Sequence, residues 1–336
     1  KNGQIPVFKK EKKYSKSLNE AKKWANKMKM NSVVEINRHL EKETKAEFIG
    51  ICEARHDQLL QNLTNKILKN KKVRLIAIAG PSSSGKTTFS NKLRIQLLTR
   101  GIKPIKISLD DYYIDRDKIK PGKDGKIDLE HINTLDVDLF NDHITKLIKG
   151  EEVEIPSFDF KIQRRVKGEK IKVSKNSIII IEGIHALNEK LTSSIKEKNK
   201  FKIYIAPHIQ INLDDHNPIS ITYYRLVRRL VRDNLFRGSD ASETLSMWES
   251  VRKGEFRWIY NNQENADFVF NSNLYYELCV LKPYAIELLK KVSSDDENYV
   301  LANKVIKFLK YFSEIDEKYV PCDSLLREFI GGSCFE

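Results

Sequence analysis

Short apolar runs alternate with helical patterns through the central part of the chain. Strand-like runs lie at 73–79, 104–108, 177–181, 201–206 and 266–271, and helical patterns lie at 87–99, 136–149 and 219–236. The run at 73–79 is almost wholly apolar, as expected for a parallel strand that is covered on both faces. Because strands that alternate with helices form βαβ units, the pattern predicts an α/β fold with a mainly parallel sheet.

The segments on either side of this region have helical patterns without strands. Apolar residues recur at helical spacing in 31–40 and 48–68, so residues 1–72 are predicted to form a helical arm. Residues 274–312 carry two further helical patterns, which indicate a helical hairpin followed by a tail.

Two runs of alternating apolar and polar residues interrupt the central pattern, at 153–160 and 168–173. They predict an antiparallel hairpin on the rim of the sheet. The predicted organisation is a helical arm at 1–72, a core domain at 73–273, and a C-terminal helical hairpin with its tail at 274–336.

The composition is that of an ordinary globular protein, with 40% hydrophobic and 32% charged residues and no apolar run long enough to cross a bilayer. The four cysteines are scattered without zinc-site spacing, which favours reduced thiols in a cytoplasmic protein. The net charge of +14 would suit nucleic acid or anionic substrates, but Lys-rich stretches of this kind are typical of solvated surfaces. Since the chain begins at Lys1, we expect upstream domains in a longer natural protein.

Residues 80–87, GPSSSGKT, form a P-loop motif that follows an apolar strand and opens a helix. Gly80 and Gly85 allow successive backbone N–H groups to point at phosphates, and Lys86 neutralises phosphate charge. Thr87 offers its hydroxyl to Mg²⁺, so we expect ATP and Mg²⁺ as cofactors. The predicted nucleotide-binding residues of the loop are Gly80, Ser82, Ser83, Ser84, Gly85, Lys86, Thr87 and Thr88. The chain lacks the Asp-x-x-Gly and Asn-Lys-x-Asp motifs of GTPases, which favours a kinase.

Two other predicted strands end in acidic residues. Asp110 and Asp111 follow the strand at 104–108, at the carboxyl end where open α/β sheets place their ligands. A carboxylate there can accept a proton from an acceptor hydroxyl or hold Mg²⁺, so Asp110 is the candidate base and a candidate metal ligand. Helix capping is the alternative role for both aspartates. Glu182 ends the strand at 177–181 and is a second Mg²⁺ candidate, with a surface turn as the alternative.

The helical pattern at 219–236 carries four arginines at spacings of three and four residues: Arg225, Arg228, Arg229 and Arg232. These spacings place the four side chains on one face of the helix. Guanidinium groups pair with phosphoryl oxygens, so this face could close over a polyphosphate and stabilise the transferring charge. A solvated helix face is the ordinary alternative.

Together these segments resemble the uridine kinase and phosphoribulokinase family of P-loop kinases, over roughly residues 73–272. The similar segments are AGPSSSGKTT at 79–88, SLDDYY at 108–113, IPSFDF at 155–160, IEGI at 181–184 and RRLVRD at 228–233 with Arg237-Gly238. Residues 214–217 and the tail at 326–333 are similar to a branch of longer uridine-kinase-like proteins, in which threonyl-tRNA-synthetase-type domains precede the kinase. The resemblance implies a three-layer P-loop NTPase fold of the nucleoside-monophosphate-kinase type, with a rim hairpin and helical extensions at both ends.

The resemblance also implies roles for individual residues. Asp110 would be the general base for a ribose 5′-hydroxyl, assisted by Lys86. Glu130 stands where the family has an Asp that binds the ribose hydroxyls. Tyr113 and Phe160 would line the nucleoside pocket. Arg229 and Arg232 would take part in catalysis, and Arg229 would also contact the acceptor. Arg237 would contact the donor phosphates.

At two hairpin positions the sequence departs from the uridine–cytidine kinases. Phe158 and Gln163 stand where those enzymes have Tyr and His around the pyrimidine. Phe158 can stack on a base but donates no hydrogen bond, while Gln163 can both donate and accept. Because hydrogen-bonding groups decide substrate specificity, these two changes leave the acceptor open.

The leading hypothesis is an ATP- and Mg²⁺-dependent kinase for the 5′-hydroxyl of uridine or cytidine. The first alternative is a kinase of the same fold for a sugar phosphate, another nucleoside or a pantothenate-like acid, since the basic residues at 161–165 suit an anionic acceptor. Further alternatives are a scaffold without activity and an ATP-switched RNA-associated module, although the Lys-rich arm has few interleaved aromatic residues. No membrane partner is expected, and homo-oligomer formation through the terminal helices stays open.

Overall fold

The computed structural model of the protein describes residues 11–119, 128, 130–159, 162–174, 177–209, 211–214 and 216–335. Its strands are β1 (Leu75–Ala79), β2 (Ile105–Ser108), β3 (Glu152–Glu154), β4 (Ser157–Asp159), β5 (Arg164–Val166), β6 (Lys170–Lys172), β7 (Ile179–Glu182), β8 (Lys200–Ala206) and β9 (Phe268–Asn271). A five-stranded sheet in the order β2-β7-β1-β8-β9 forms the centre of the fold. All neighbouring strands of this sheet are parallel, which confirms the predicted α/β fold.

The helices are α1 (Lys12–Met28), α2 (Val33–Lys42), α3 (Lys45–Leu68), α4 (Lys86–Leu98), α5 (Val137–Lys149), α6 (Ile221–Arg237), α7 (Ala241–Gly254), α8 (Glu277–Leu289), α9 (Tyr299–Leu309) and α10 (Arg327–Ile330). The predicted arm helices and the C-terminal helical pair are present as α2, α3, α8 and α9. Helix α1 lies within the predicted arm, although no apolar spacing had marked it, and its fully buried residues are Ser17 and Ala25. None of the helices in the described ranges combines the length and the apolar character needed to cross a membrane.

The two faces of the sheet are covered by separate apolar clusters, because alternate residues of a strand point to opposite faces. Ile76 and Ile78 of β1 belong to one cluster, whereas Leu75 and Ala77 belong to the other. Every residue of β1 and β8 is buried, as predicted for strands covered on both faces. The sheet and the helices on its two sides form three layers.

The N- and C-terminal extensions share one apolar cluster with the core. Phe48 of α3, Leu309 of α9 and Phe329 of α10 are each at most 1% exposed in that cluster. The same cluster contains Phe89 of α4, the helix that follows the P-loop. The extensions therefore pack against the nucleotide-binding side of the core.

The predicted hairpin is present, but it consists of two short ladders. Strand β3 pairs with β6, and β4 pairs with β5, both antiparallel. The break lies at Pro156, which has no N–H to donate to a ladder. Gly168 lies opposite this break, where an added Cβ would be 2.0 Å from the carbonyl oxygen of Ile155. Close packing at the break thus requires glycine at position 168.

Candidate active site

The P-loop connects β1 to α4 in the shape that phosphate binding requires. Gly85 has a φ of +87° and Ser83 has a φ of +58°, so the backbone turns through the left-handed region. A Cβ on Gly80 would lie 2.0 Å from the carbonyl oxygen of Ile205, so only glycine fits there. The Lys86 ammonium group donates to the carbonyl oxygens of Gly80 and Pro81, at 3.2 and 3.3 Å. The loop is therefore folded around its own lysine.

Two serine hydroxyls of the loop are buried without a partner. Within the described part of the chain, neither Ser83 Oγ nor Ser84 Oγ makes a hydrogen bond. Buried hydroxyls are normally paired, so these two groups mark a polar cradle suited to an additional ligand. Phosphate oxygens are acceptors of the right kind for this cradle.

Arg225 and Glu255 support the P-loop from the side of α6. Both side chains are at most 1% exposed and form an ion pair. Arg225 Nη2 donates to the carbonyl oxygen of Ser82 at 2.8 Å, and Glu255 accepts from the Ser82 N–H at 3.1 Å. Glu255 begins a π-helical turn that continues α7, a local distortion that is frequent near functional sites. The pair fixes the backbone of Ser82 through both its N–H and its C=O groups.

Arg228 supports the next residue of the loop. Its guanidinium group binds both carboxylate oxygens of Glu277, at 2.5 and 2.6 Å, and donates to the carbonyl oxygen of Ser83 at 3.2 Å. Arg228 and Glu277 are completely buried. The predicted single arginine face is thus divided, because Arg225 and Arg228 hold the P-loop backbone instead of lying open to a polyphosphate.

The other arginines of α6 gather around one carboxylate. Asp233 is 1% exposed and lies 3.0 Å from Arg229, 2.6 Å from Arg232 and 3.6 Å from Arg237. Arg229 Nη1 also donates to Ser82 Oγ at 2.9 Å. A single carboxylate cannot neutralise three guanidinium groups, so this cluster remains positively charged beside the loop. Phosphate binding by Arg229, Arg232 and Arg237 stays a prediction, which their position beside the P-loop permits.

Asp110 and Glu182 follow adjacent strands and lie close together. Ser108 at the end of β2 is in register with Glu182 at the end of β7. Burial raises the pKa of Asp110, while the cations Lys86, Arg237 and Arg232 oppose this rise. Burial, followed by the charge of Asp110, raises the pKa of Glu182 to about 7. Two buried carboxylates repel each other when both are ionised, so a divalent cation between them would be favoured.

This donor set suits Mg²⁺. Mg²⁺ prefers oxygen ligands and is usually held by one or two carboxylates together with substrate phosphates. Asp110 and Glu182, which follow adjacent strands, and Thr87 of the P-loop carry oxygen atoms of this kind. These three residues would hold the ion when it binds with a nucleotide.

Ser108, and not Asp110 or Asp111, caps the helical turn that follows β2. The hydroxyl of Ser108 accepts from the Asp110 N–H at 3.3 Å and caps the short helical turn that follows. Asp111 instead accepts from the Phe158 N–H at 3.3 Å and ties the hairpin to the end of β2. Neither aspartate is therefore the N-cap of this turn, and Asp110 stays the candidate base.

Two of the predicted acceptor residues, Tyr113 and Glu130, lie near Asp110. The Tyr113 side chain is close enough to Asp110 and Glu130 that, after burial, their charges raise its pKa. The rings of Tyr113 and Phe158 lie 5.7 Å apart. An added Cβ on Gly254 would lie 2.5 Å from Glu130 Cβ, so a glycine in α7 allows Glu130 to approach. Tyr113 therefore lies beside Phe158 and near the carboxylates of Asp110 and Glu130.

Gln163 is held at the turn of the hairpin. Its backbone has a φ of +55°, and its side-chain oxygen accepts from Arg116 at 2.7 Å. Arg116 was not predicted, because nothing in its local sequence pairs it with the hairpin. Phe160, which the sequence placed in the nucleoside pocket, lies outside the described residues.

Replacing Glu130 by Gln should stabilise the folded protein most at high pH. Burial, and then the charge of Glu255, raises the pKa of Glu130 from 4.5 to about 7. A raised carboxyl pKa contributes stability that is complete below about pH 4.5 and is lost as the pH rises through about 7. We therefore expect Glu130→Gln to raise the melting temperature more at about pH 8.5 than at about pH 5. The stabilising effect of the substitution should differ between the two pH values by about 1–3 kcal/mol in unfolding free energy. Thermal unfolding without nucleotide measures this difference, and Glu297→Gln, an exposed site, is the control. A difference that does not change with pH would contradict the buried environment assigned to Glu130.

Residues 75–275 match the Phosphoribulokinase / Uridine kinase family, which covers more than half of the chain. The chain belongs to this family. The predicted resemblance is thereby confirmed, and the protein is a phosphotransferase with an alcohol acceptor. The match ends before Glu277, so the partner of Arg228 lies outside the family region.

Individual relatives are similar to this chain over about 200 residues. The uridine kinase of Brevibacillus brevis is 28% identical over 196 residues, which cover 58% of this chain and 83% of the relative. The uridine kinase of Clostridium tetani is 29% identical over 201 residues, which cover 60% of this chain and 87% of the relative. A solved structure described as a possible uridine kinase from Bacillus stearothermophilus aligns with 64% of this chain and 98% of its own, at 20% identity and a TM-score of 0.44.

Three acidic residues that pair with the arginines of α6 were not predicted from the sequence: Asp233, Glu255 and Glu277. Each forms an ion pair with an arginine of α6. The only local indication is Asp233, which lies one turn from Arg229. The other two lie far along the chain, and no spacing rule connects them to the arginines.

Proposed function

We propose that the protein is a kinase that uses ATP and Mg²⁺ to phosphorylate the 5′-hydroxyl of uridine or cytidine. The observation that supports this most is the position of Asp110, which lies close enough to Lys86 of the P-loop and to Tyr113 for their charges to interact. A carboxylate in that position can accept the hydroxyl proton as the oxygen attacks the γ-phosphate. Burial raises the pKa of Asp110, which makes its carboxylate a stronger proton acceptor than an exposed one.

The remaining residues would position the reactants and neutralise charge. Lys86 and the loop N–H groups would hold the β- and γ-phosphates, and Arg229 and Arg232 would stabilise the transferring group. Arg237 would contact the donor phosphates. Asp110, Glu182 and Thr87 would hold Mg²⁺, which would neutralise part of the phosphate charge when bound. On the acceptor side, Glu130 would accept from the ribose hydroxyls and Phe158 would stack on the base.

Two observations bear on the alternatives. The basic turn that favoured an anionic acceptor is partly neutralised, because Arg164 pairs with Asp117 and Arg165 pairs with Asp136. The alternative of an RNA-associated module gains no support from the arm, whose Lys13 instead donates to the Glu264 and Ala266 carbonyls of the core.

All four cysteines are free thiols, which supports the proposed cytoplasmic location.

A coupled assay of ATP consumption across acceptors tests the proposed function. We expect uridine and cytidine to stimulate ATP turnover, with the nucleoside 5′-monophosphate as product. Adenosine, guanosine, sugar phosphates and pantothenate serve as competing acceptors in the same assay. Stimulation by one of these without stimulation by either pyrimidine nucleoside would favour the kinase alternative and refute the pyrimidine assignment.

A further inference from the structure

The C-terminal segment, residues 323–335, lies across the P-loop. A Cβ on Gly85 would lie 2.5 Å from the Leu325 side chain, so the segment is in direct contact with the loop. Glu328 accepts a hydrogen bond from the backbone N–H of Thr88 at 2.9 Å. Ser333 lines a cavity of about 240 Å³ together with Thr88, at the start of α4. The segment therefore forms part of the donor end of the site.

The backbone of this segment is firmly anchored. Leu326 and Phe329 are completely buried, and the guanidinium group of Arg228 lies 5.0 Å from the Phe329 ring. Ser324 Oγ lies 3.0 Å from the hydroxyl of Tyr276. Arg327 ties the segment to itself and to the preceding turn by donating to the carbonyl oxygens of Glu317, Val320 and Gly331. The hydrogen bond between Glu328 and the Thr88 N–H can therefore break by rotation of the Glu328 side chain, while the backbone of the segment stays in place.

The Thr88 amide belongs to the anion-binding start of α4. Backbone N–H groups at the end of a P-loop, aided by the positive end of the helix, bind phosphate oxygens. In this structure a carboxylate, which is also an anion, accepts from that group. The charge of Glu328 also reaches the metal candidate, since it contributes to the raised pKa of Glu182. Glu328 thus places negative charge where a polyphosphate would place its own.

We propose that Glu328 occupies the position of a donor phosphate at the Thr88 amide, and that a bound nucleoside triphosphate displaces its carboxylate. Glu328 is then a residue that sets the affinity for the donor. This inference rests on the proposed ATP site and is independent of the acceptor. Removing the carboxylate frees the amide and removes a like charge, so the donor should bind more tightly.

Isothermal titration with Mg²⁺-ATP and with Mg²⁺-tripolyphosphate tests the proposal on the full chain. We expect Glu328→Ala to lower the Kd of both ligands by about 3- to 10-fold. Glu328→Gln, which keeps an acceptor but not the charge, should have a smaller effect in the same direction. Glu297→Gln removes the same charge from an exposed loop and should leave both Kd values unchanged.

Thermal unfolding supplies a second readout. Without ligand, Glu328→Ala should melt below the wild type, because the contact with Thr88 is lost. With saturating ATP the difference should shrink, because the donor has already broken that contact in the wild type. An equal loss of melting temperature with and without ATP would instead show a purely structural role and overturn the proposal.

Other results also decide the question. Unchanged or weaker ATP binding by Glu328→Ala would overturn the proposal. Tighter binding of ATP without tighter binding of tripolyphosphate would also overturn it, since the carboxylate would then oppose the nucleoside and not a phosphate. Absence of ATP binding by every variant would refute the donor site and this inference together. Tighter ATP binding by Glu328→Ala, without phosphorylation of any pyrimidine nucleoside, would support the inference and refute the proposed acceptor.

Discussion

Replacing Asp110 by Asn is expected to lower kcat by at least about 100-fold, the usual contribution of a general base. The amide keeps the size of the side chain but cannot accept the hydroxyl proton. Donor binding should change less than kcat, because Glu182 and Thr87 would still hold Mg²⁺ and the loop is folded by Lys86 and supported by Arg225 and Arg228. The loss should therefore appear in kcat for the nucleoside reaction and much less in the Kd of ATP.

Steady-state kinetics with uridine, together with a separate ATP titration, measures these two effects. Asp111→Asn is a matched control, because Asp111 lies beside Asp110 and accepts from the Phe158 N–H, a bond that an amide oxygen can also accept. We expect the control to lose far less activity. Rates within a few-fold of the wild type in purified Asp110→Asn would exclude Asp110 as the base.

Replacing Glu277 by Ala is expected to destabilise the fold by about 3–5 kcal/mol, as is typical when one partner of a buried ion pair is removed. Glu277 and Arg228 are completely buried and share two hydrogen bonds. Glu277 also accepts from the Leu274 N–H at 3.2 Å. The substitution would leave the Arg228 charge without its carboxylate in the apolar interior, and would loosen the support of Ser83 in the P-loop.

Urea unfolding followed by circular dichroism measures this loss. Glu287→Ala on the same helix is the control, because Glu287 pairs with Lys291 on the exposed surface and such pairs contribute at most about 1 kcal/mol. The double replacement Arg228→Met with Glu277→Leu should recover a large part of the stability, because no charge remains buried. A loss in Glu277→Ala no greater than in the control would show that the pair is dispensable.

The geometry of the P-loop could be predicted because it depends on residues that are consecutive in the sequence. A strand, a glycine loop and a helix follow one another directly in residues 75–98, so the motif specified its own geometry. Asp110 and Glu182 were also placed correctly at one edge of the sheet, since parallel strands present their carboxyl ends together.

The role of the arginines could not be predicted in the same way. Helical spacing groups Arg225, Arg228, Arg229 and Arg232, but it does not show which of them face a carboxylate. That depends on Glu255 and Glu277, which are brought to α6 only by the packing of distant segments. The contact of Glu328 with the P-loop is of the same long-range kind, so the sequence left the tail without a role.

The position of Glu277 has a consequence for how this gene can recombine with those of its relatives. The family region ends at residue 275, whereas the P-loop depends on an ion pair that joins Arg228 to a helix beginning at Glu277. An exchange of coding segments at the family boundary would separate the two partners and bury an isolated charge. Exchanges that preserve a working enzyme should therefore carry α6 and α8 together, so the inherited unit is longer than the catalytic region.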